Sequence, residues 1–593
     1  MSEEQKKNEF VVTGLAVSPG IAIGKLFVLV DEEVPVPCRE VAEDELAKEW
    51  LRFEEAITVT KDQLLSLQER MSSTVGEKNA GIFEAHLLVL EDPTIVAAVR
   101  KQLYARKQNI EFVYQHIISQ YAKALSEVND PYLAERAIDV IDVSKRVIWN
   151  LTKRNRCLNE IISHPCIVVA HDLTPSDTTQ LPRDKVQGFA THLGSRTSHS
   201  AIIARSMNIP AIVGIDPTVN LISGLNAILD GYHGLLIVNP SDETLEKYRT
   251  EEQFHRRVES ELRKLRDLKA VTTDGRVITL SANIELFEDI ESCIESGAEG
   301  IGLFRTEFLF TNRADLPDEE EQFQVYRRAA QAVKPHSLIL RTLDIGGDKL
   351  FTSLHSSTAT NPFLGVRAMR FCLAHPEIFR TQLRAMLRAS IEDNVKIMYP
   401  MITTVEEVRE ANRYLRTEYD QLKKSGAPLA EKIEVGIMIE VPAAALTAAS
   451  LAEEVDFFSI GTNDLIQYTM ACDRGNEQIA YLYEPAHPGL LRLMQMTIDA
   501  AHDAGIWVGV CGEAAGDIEL VPLLVGMGVD ELSVGAALVP RIKRVIRSLS
   551  YAEAKELARE ALSQRSVEEV RKRLRQVAKE KFPELLQDSE ILR

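Results

Sequence analysis

The sequence predicts a multidomain α/β protein in which an α/β domain with an inserted helical bundle precedes a C-terminal (β/α)8 barrel. Two observations predict this fold class. From residue 270 onward, apolar runs of strand length alternate with helical patterns, and eight such runs match the eight βα units of a barrel. Before residue 240, strand-like runs lie on both sides of a long helical block, so the block interrupts a sheet domain.

Composition narrows the class of protein. The chain has 593 residues, of which 45% are hydrophobic and 26% charged, as in ordinary globular proteins. The net charge of −20 argues against nucleic acid or an anionic membrane surface as the main partner. The seven cysteines form no C-x-x-C pair, and no apolar run approaches about 18 residues. We therefore predict a cytoplasmic protein with reduced thiols and no membrane insertion.

The N-terminal part is assigned to three segments. Strand-like runs within 1–30 and 150–240 predict one α/β domain. Helix formers with almost no Gly or Pro predict a bundle over 31–149, where acidic residues outnumber basic ones. This bundle is either a docking module for a protein with a basic surface or a purely structural insert. A charged helix with Ser241 as its N-cap is predicted over 241–270, as a linker or lever or as a solvated surface.

The segment 271–593 is predicted to form the barrel. Its eight predicted strands are Val277–Ser281, Gly300–Phe304, Ser337–Arg341, Lys396–Tyr399, Ile433–Glu440, Val455–Gly461, Ile506–Val510 and Asp530–Val534. Polar residues follow six strand ends, namely Asn283, Arg305, Arg341 with Asp344, Glu440, Asn463 with Asp464, and Cys511 with Glu513. Because barrel enzymes build their active sites at the carboxyl ends of the strands, an active site is predicted there.

The residue types at these strand ends suit a small anion that carries phosphate. Arg305, Arg341 and Arg474 supply guanidinium groups that match phosphate or carboxylate oxygens. Glu440 and Asp464 supply the hard oxygen ligands that Mg²⁺ prefers. Catalysis at such a site comes from positioning the substrate and from neutralising the negative charge on its phosphate group.

The strand-end cysteine leaves two interpretations open. Cys511 follows the seventh predicted strand, so its thiol would face the site and could act there as a proton donor. A buried thiol that only packs in the core is the alternative.

A second candidate site lies around His199, where small and polar residues lead into an apolar helical pattern. Thr197 or Ser198 is a plausible N-cap, which places His199 in the first turn of a helix. The free N–H groups and partial positive charge there favour a phosphoryl group and a neutral, nucleophilic imidazole. Arg196 and Arg205 could flank the anion. The alternative is a capped helix with an incidental histidine.

Together these motifs resemble enzyme I of the phosphoenolpyruvate-dependent sugar phosphotransferase system over nearly the whole chain. The segments that carry the resemblance are Ser18-Pro19-Gly20-Ile21-Ala22, Phe83-Glu84-Ala85-His86, Asp172-Leu173-Thr174-Pro175-Ser176, Thr197-Ser198-His199, Gly302-Leu303-Phe304-Arg305-Thr306-Glu307-Phe308, Arg341-Thr342-Leu343-Asp344-Ile345-Gly346-Gly347-Asp348-Lys349, Gly461-Thr462-Asn463-Asp464, Cys472-Asp473-Arg474-Gly475-Asn476 and Cys511-Gly512-Glu513.

The resemblance implies a phosphotransferase in which His199 takes the phosphoryl group of phosphoenolpyruvate, with release of pyruvate. His199 then passes the group to the phosphocarrier protein HPr, as the first step of a sugar phosphotransferase system. The residues implied in binding phosphoenolpyruvate are Arg305, Arg341, Asn463, Asp464 and Arg474. By the same resemblance, Glu440 and Asp464 bind Mg²⁺ as cofactor, and Cys511 protonates the enolate leaving group.

The resemblance also gives each segment a role. The α/β domain becomes the swivelling phosphohistidine domain, the bundle becomes the HPr-binding subdomain, and the barrel forms a homodimer. Ser195, Val366 and Ala514 depart from the usual pattern of the family, but none replaces a residue with assigned chemistry. A catalytically weak scaffold or regulator that binds HPr-like partners is the alternative, disfavoured because the assigned catalytic and metal-binding residues are all present.

Overall fold

The computed structural model divides into two compact units, Met1–Arg256 and Arg257–Arg593. The residues that the structure describes are 9–29, 36–75, 83, 86–126, 131–153, 162–173, 177, 181–182, 184–195, 201, 204, 209–219, 221–287, 289–311, 313, 315–345, 364–473, 476 and 478–589.

The first unit contains a sheet of eight strands in the order β1-β8-β7-β3-β4-β5-β6-β2. The strands are β1 (Phe10–Thr13), β2 (Leu15–Ser18), β3 (Ile21–Leu29), β4 (Cys166–Ala170), β5 (Val186–Thr191), β6 (Ala211–Val213), β7 (Asn226–Asp230) and β8 (Leu235–Val238). β3 pairs in parallel with β4, although more than a hundred residues separate them. The helical block is therefore inserted between two neighbouring strands of one sheet, as the sequence predicts.

Amphipathic helices account for the inserted block. Its long helices are Leu46–Val75, Pro93–Arg106, Ile110–Ser126 and Pro131–Leu151. Apolar side chains from all four, including Phe53, Leu103, Val113 and Val147, share one buried core. The second helix begins where Asp92 accepts a hydrogen bond from the backbone N–H of Thr94 at 2.7 Å, with Pro93 in its first turn.

The charged helix predicted over 241–270 spans Asp242–Arg263, so it ends several residues earlier than predicted. Ser241 Oγ accepts a hydrogen bond from the Thr244 backbone N–H at 3.2 Å, so Ser241 is the N-cap that the sequence predicts. The boundary between the two compact units falls within this helix.

The second unit contains a closed barrel of eight parallel strands. They are β9 (Thr279–Ile284), β10 (Gly300–Phe304), β11 (Ser337–Arg341), β12 (Val395–Tyr399), β13 (Val435–Ile439), β14 (Phe457–Ile460), β15 (Trp507–Val510) and β16 (Glu531–Val534). All eight predicted strands are confirmed. The first begins later than predicted because Val277 pairs with Val271 in a separate short bridge, and Asn283 consequently lies within β9 rather than after it.

Helices surround the barrel and follow it to the end of the chain. Among the described residues of the second unit, the α-helices are Asp289–Ser296, Glu319–Val333, Ala368–Ala374, Pro376–Ala389, Val405–Lys424, Pro442–Leu446, Ala448–Ala452, Thr462–Met470, Pro488–Asp503, Val521–Met527, Val539–Ser548, Tyr551–Ser563, Val567–Lys581 and Pro583–Ser589. No helix in the described part of the chain combines the length and the apolar character that crossing a membrane requires.

Candidate active site

The predicted strand-end residues gather at the carboxyl end of the barrel, because all eight strands run in the same direction. Arg341 is the last residue of β11 and Glu440 directly follows β13. Asp464 lies in the first turn of the helix Thr462–Met470, which begins after β14.

Arg341 is a buried cation held between two carboxylates. Its Nη2 donates a hydrogen bond to Glu307 Oε1 at 2.8 Å, and its Nη1 lies 2.9 Å from Asp344 Oδ2. Burial by itself lowers the pKa of Arg341, but the carboxylates of Glu307, Asp344 and Glu440 outweigh burial and raise it. Arg341 Nε is buried and has no partner among the described residues. The guanidinium group is thus rigidly oriented by two carboxylates, and one of its donors is left unsatisfied by the described residues.

Arg367 belongs to the same cluster, although no sequence pattern predicts it there. Its Nη2 donates to Asp344 Oδ1 at 2.8 Å, and its Nη1 lies 3.6 Å from Asp464 Oδ1. Arg367 was missed because it lies far from any strand end. The chain turns sharply at the next residue, where Ala368 has a left-handed φ of 52°, a conformation that costs about 1–2 kcal/mol. No sequence signal marks that turn.

Glu440 is a buried carboxyl group whose orientation is fixed by the backbone. Its Oε1 accepts a hydrogen bond of 2.6 Å from the N–H of Met401, a residue with a left-handed φ of 56°. A Cβ atom at Gly461 would lie 2.9 Å from Glu440 Oε2, so a glycine there leaves room for the carboxyl group. Burial, followed by the charges of Asp464 and Asp344, raises the pKa of Glu440 to about 8.

This electrostatic environment fits a divalent cation. Three carboxylates act on one another here, and a cation between Glu440 and Asp464 would relieve the repulsion that raises the pKa of Glu440. Mg²⁺ is commonly bound through one or two protein carboxylates together with phosphate oxygens of a substrate. Within the described ranges, no group of three or more His, Cys, Asp or Glu residues forms a metal site by itself.

The raised pKa of Glu440 predicts how the stability of the metal-free protein depends on pH. The folded protein holds this proton up to about pH 8, whereas an unfolded glutamate loses it near pH 4.3. The free energy of unfolding should therefore fall by at most about 1.4 kcal/mol per pH unit between these values. Glu440→Gln should remove this decline in urea unfolding curves at pH 5 to 8. An equal decline in both proteins would contradict the assignment.

Asn463 is held by a reciprocal pair of hydrogen bonds. Its Nδ2 donates to Glu513 Oε1 at 2.9 Å, and its Oδ1 accepts from the Glu513 backbone N–H at 2.9 Å. The Tyr483 hydroxyl donates to the backbone carbonyl of Asn463 at 3.3 Å. The position of Asn463 thus depends on two loops that are distant in sequence.

Arg305 and Asn283 make contacts of different kinds. Arg305 directly follows β10 and forms an ion pair with Glu285 near the solvent. Asn283 Nδ2 donates to the backbone carbonyls of Cys511 and Ser533 at 2.9 and 3.1 Å. Asn283 therefore joins strand ends, whereas Arg305 presents its charge at the rim of the site.

Cys511 is buried beneath the charged cluster. Its side chain packs with apolar residues inside the barrel, and Sγ donates to the carbonyl of Ile460 at 3.8 Å. Burial raises the pKa of the Cys511 thiol to about 11, and the charges of Glu440, Arg341 and Arg305 also act on it. The thiol is therefore protonated at neutral pH and close to the charged residues, which is compatible with both interpretations of Cys511.

The structure thus brings Arg305, Arg341, Glu440, Asn463, Asp464 and Cys511 to one end of the barrel. The remaining assigned residues, His199 and Arg474, lie outside the described residues, as do Arg196, Thr197, Ser198 and Arg205. Of the three departures from the family pattern, Ala514 is buried, whereas Ser195 and Val366 are exposed.

Comparison with known families identifies three segments. The family described as "PEP-utilising enzyme, N-terminal" matches residues 13–136, and "PEP-utilising enzyme, mobile domain" matches 162–234. "PEP-utilising enzyme, PEP-binding domain" matches 259–551, which includes every barrel residue of the candidate site.

Individual relatives match along nearly their whole length. The phosphoenolpyruvate-protein phosphotransferase of Listeria innocua is 45% identical over 94% of this chain and 97% of its own. That of Bacillus subtilis is 44% identical over 94% of this chain and 98% of its own. Among solved structures, the NMR structure of an Enzyme I protein is 36% identical, covers 41% of this chain and 99% of its own, and has a TM-score of 0.36.

Proposed function

Because the chain belongs to the phosphoenolpyruvate-protein phosphotransferase family, we propose that it moves the phosphoryl group of phosphoenolpyruvate to its own His199 and then to HPr. One observation carries the proposal for the first step. The charged cluster of Arg341, Asp344, Arg367, Glu440 and Asp464, which is buried at Arg341 and Glu440 and partly buried at Arg367 and Asp464, occupies the carboxyl end of the barrel, within the segment that matches a PEP-binding domain.

Arginines and Asn463 hold the substrate in this proposal. Glu307 and Asp344 hold the guanidinium group of Arg341 in place, so its positive charge would meet the substrate with little further loss of side-chain freedom. Arg305 can exchange its exposed partner Glu285 for a phosphate oxygen, because an exposed ion pair contributes little stability. Arg474 adds a further guanidinium group in the family pattern.

The cofactor in this proposal is Mg²⁺, bound by Glu440 and Asp464. When bound, Mg²⁺ neutralises charge on the phosphoryl and enolate oxygens. The protein's contribution is to orient the two carboxylates. The Met401 N–H and the space left by Gly461 fix Glu440, and Arg367 approaches Asp464.

His199 acts as the nucleophile that accepts the phosphoryl group. In the first step, the bond between phosphorus and the enolate oxygen breaks as the bond to an imidazole nitrogen of His199 forms. The enolate of pyruvate leaves, and protonation on its carbon yields pyruvate. In the second step the group passes to a histidine of HPr.

The segment roles are part of the proposal. The acidic insert 31–149 binds HPr, the α/β domain of 1–30 and 150–240 carries the phosphohistidine, and residues 241–270 link it to the barrel of 271–593. The barrel forms a homodimer. The acidic composition of the insert and the placement of the insert between β3 and β4 support the first of these roles.

Replacing Cys511 by Ser tests its proposed role as the proton donor. Serine has a similar size but is a much weaker acid, so pyruvate formation should slow about tenfold or more, while phosphoryl exchange with HPr stays normal. Cys372→Ser is a matched control, since the Cys372 thiol is also buried and also donates to a backbone carbonyl at 3.8 Å. Pyruvate release measured in single turnovers decides: a rate within about twofold of the unsubstituted enzyme leaves Cys511 a packing residue.

Labelled phosphoenolpyruvate tests the function as a whole. With Mg²⁺ present, the purified protein should acquire a stoichiometric, acid-labile label and pass it to HPr added afterwards. The alternative of a catalytically weak scaffold or regulator predicts HPr binding without label. A protein that binds HPr but takes up no label would contradict the proposed function.

A further inference from the structure

A buried arginine near the C-terminus joins two loops at the carboxyl end of the barrel. Arg571 lies in the helix Val567–Lys581 and its side chain is buried. Its Nη2 donates to Glu484 Oε1 at 2.6 Å and its Nη1 donates to Asp517 Oδ2 at 2.8 Å. The same Nη1 lies 3.4 Å from Glu519 Oε2. One guanidinium group therefore meets three carboxylates.

Two of these carboxylates, those of Glu484 and Asp517, also fix the backbone of their own loops. Glu484 Oε1 accepts a hydrogen bond from the Ala486 N–H at 2.8 Å. Asp517 Oδ1 accepts from the N–H groups of Glu519 and Leu520 at 3.0 and 3.3 Å. The loop 478–487 and the loop 511–520 are thus each held by a carboxylate that Arg571 binds.

The same two loops hold Asn463. Tyr483, the neighbour of Glu484, donates to the Asn463 backbone carbonyl. Glu513, in the other loop, makes the reciprocal pair of hydrogen bonds with the Asn463 side chain. Contacts from both loops therefore converge on a residue assigned to phosphoenolpyruvate binding, and Arg571 connects the same two loops.

We propose that Arg571 is a positioning residue for the phosphoenolpyruvate site. By binding carboxylates of the loops 478–487 and 511–520, Arg571 holds the two loops together and so fixes the orientation of the Asn463 side chain. The inference rests on the proposed function, because it assumes that Asn463 binds the substrate. Arg571 itself touches neither substrate nor reacting atoms.

Charge explains why this position needs a buried cation. Without Arg571, Glu484, Asp517 and Glu519 would repel one another at a site from which water is largely excluded. Of the charged groups on the same helix, Arg575 approaches Glu519 at 3.5 Å, but it is more exposed than Arg571. The loops would separate, and the hydrogen bonds to Asn463 would lose their geometry.

The test compares substitutions on one helix in the full chain. Arg571→Met should raise KM for phosphoenolpyruvate about tenfold, while phosphoryl exchange between the phosphorylated enzyme and HPr keeps its rate. Arg571→Lys keeps the positive charge, but one amino group cannot reproduce the separate hydrogen bonds that the guanidinium nitrogens make to Glu484 and Asp517, so KM should rise about threefold. Arg573→Met is the matched control, because Glu560 at the surface is the one ion-pair partner of Arg573 among the described residues, and the loss of this pair should leave KM unchanged.

A double substitution separates positioning from general stability. If Arg571 acts through Asn463, Arg571→Met should change KM by less than about twofold once Asn463 is alanine. Additive effects would overturn the inference, as would a normal KM in both Arg571 variants. Arg571→Lys carries the same test if the methionine variant does not fold. An inactive unsubstituted enzyme would instead overturn the proposed function, so the two failures are distinguishable.

Discussion

Replacing His199 by Gln should abolish the phosphoryl label that phosphoenolpyruvate leaves on the enzyme, the largest effect expected of any substitution. Glutamine approximates the size and polarity of histidine but offers no nucleophilic nitrogen, so no phosphorylated intermediate can form. Binding of phosphoenolpyruvate should persist, because its proposed ligands lie in the barrel. The measurement is acid-labile label from labelled phosphoenolpyruvate, read beside direct binding of the substrate.

A second histidine of the same unit supplies the control. His164 is exposed and precedes β4, and no role is assigned to it. His164→Gln should be labelled as fully as the unsubstituted protein. Stoichiometric label that persists on another residue of the His199→Gln variant would contradict the assignment of His199.

Removing either proposed metal ligand should cause the second large effect. Glu440→Ala or Asp464→Ala should slow phosphoryl transfer from phosphoenolpyruvate by about a hundredfold or more, since charge on the reacting oxygens is then not neutralised. Exchange between phosphorylated His199 and HPr should stay near its normal rate, because neither carboxylate takes part in it. Quenched-flow measurements of each half-reaction over a range of Mg²⁺ concentrations check both expectations.

The control for this pair lies at the opposite end of the same strand. Glu434 precedes β13, as Glu440 follows it, and Glu434 pairs with Lys396 at 2.7 Å. Glu434→Ala should leave the Mg²⁺ dependence of the first half-reaction unchanged. If Glu440→Ala also left that dependence unchanged, Glu440 would not be a metal ligand.

The barrel could be predicted from the sequence because its signal is local and repeated. Each buried strand, such as Ser337–Arg341 or Gly300–Phe304, is a short apolar run between helical patterns. A polar residue at the end of such a run, or within a few residues after it, lies at the carboxyl end of a parallel barrel. Arg305, Glu440 and Asp464 were found in this way.

Other parts of the site depend on contacts that no local pattern encodes. Arg367 reaches Asp344 and Asp464 from a segment without a strand end, and Arg571 reaches its carboxylates from a helix near the C-terminus. The orientation of Glu440 depends on a left-handed backbone at Met401, where nothing in the residue type indicates that conformation. These features follow from tertiary packing between distant segments, which periodicity and spacing do not report.

The roles of His199, Arg474 and Cys511 stay predictions for different reasons. His199 and Arg474 lie outside the described residues. Cys511 is described, but its burial beside charged groups suits both a proton donor and a packing residue. Activity measurements decide between these two roles.

Isothermal titration calorimetry of phosphoenolpyruvate with the His199→Gln variant, with and without Mg²⁺, tests whether the carboxyl end of the barrel binds the substrate together with the metal. The reaction cannot proceed in this variant, so the heat reports the barrel site alone. We predict one site per chain, at least about tenfold weaker affinity without Mg²⁺, and a comparable loss when Arg341 is also replaced by Met. Equal affinity with and without Mg²⁺, together with undiminished binding in the Arg341→Met background, would contradict the proposed site.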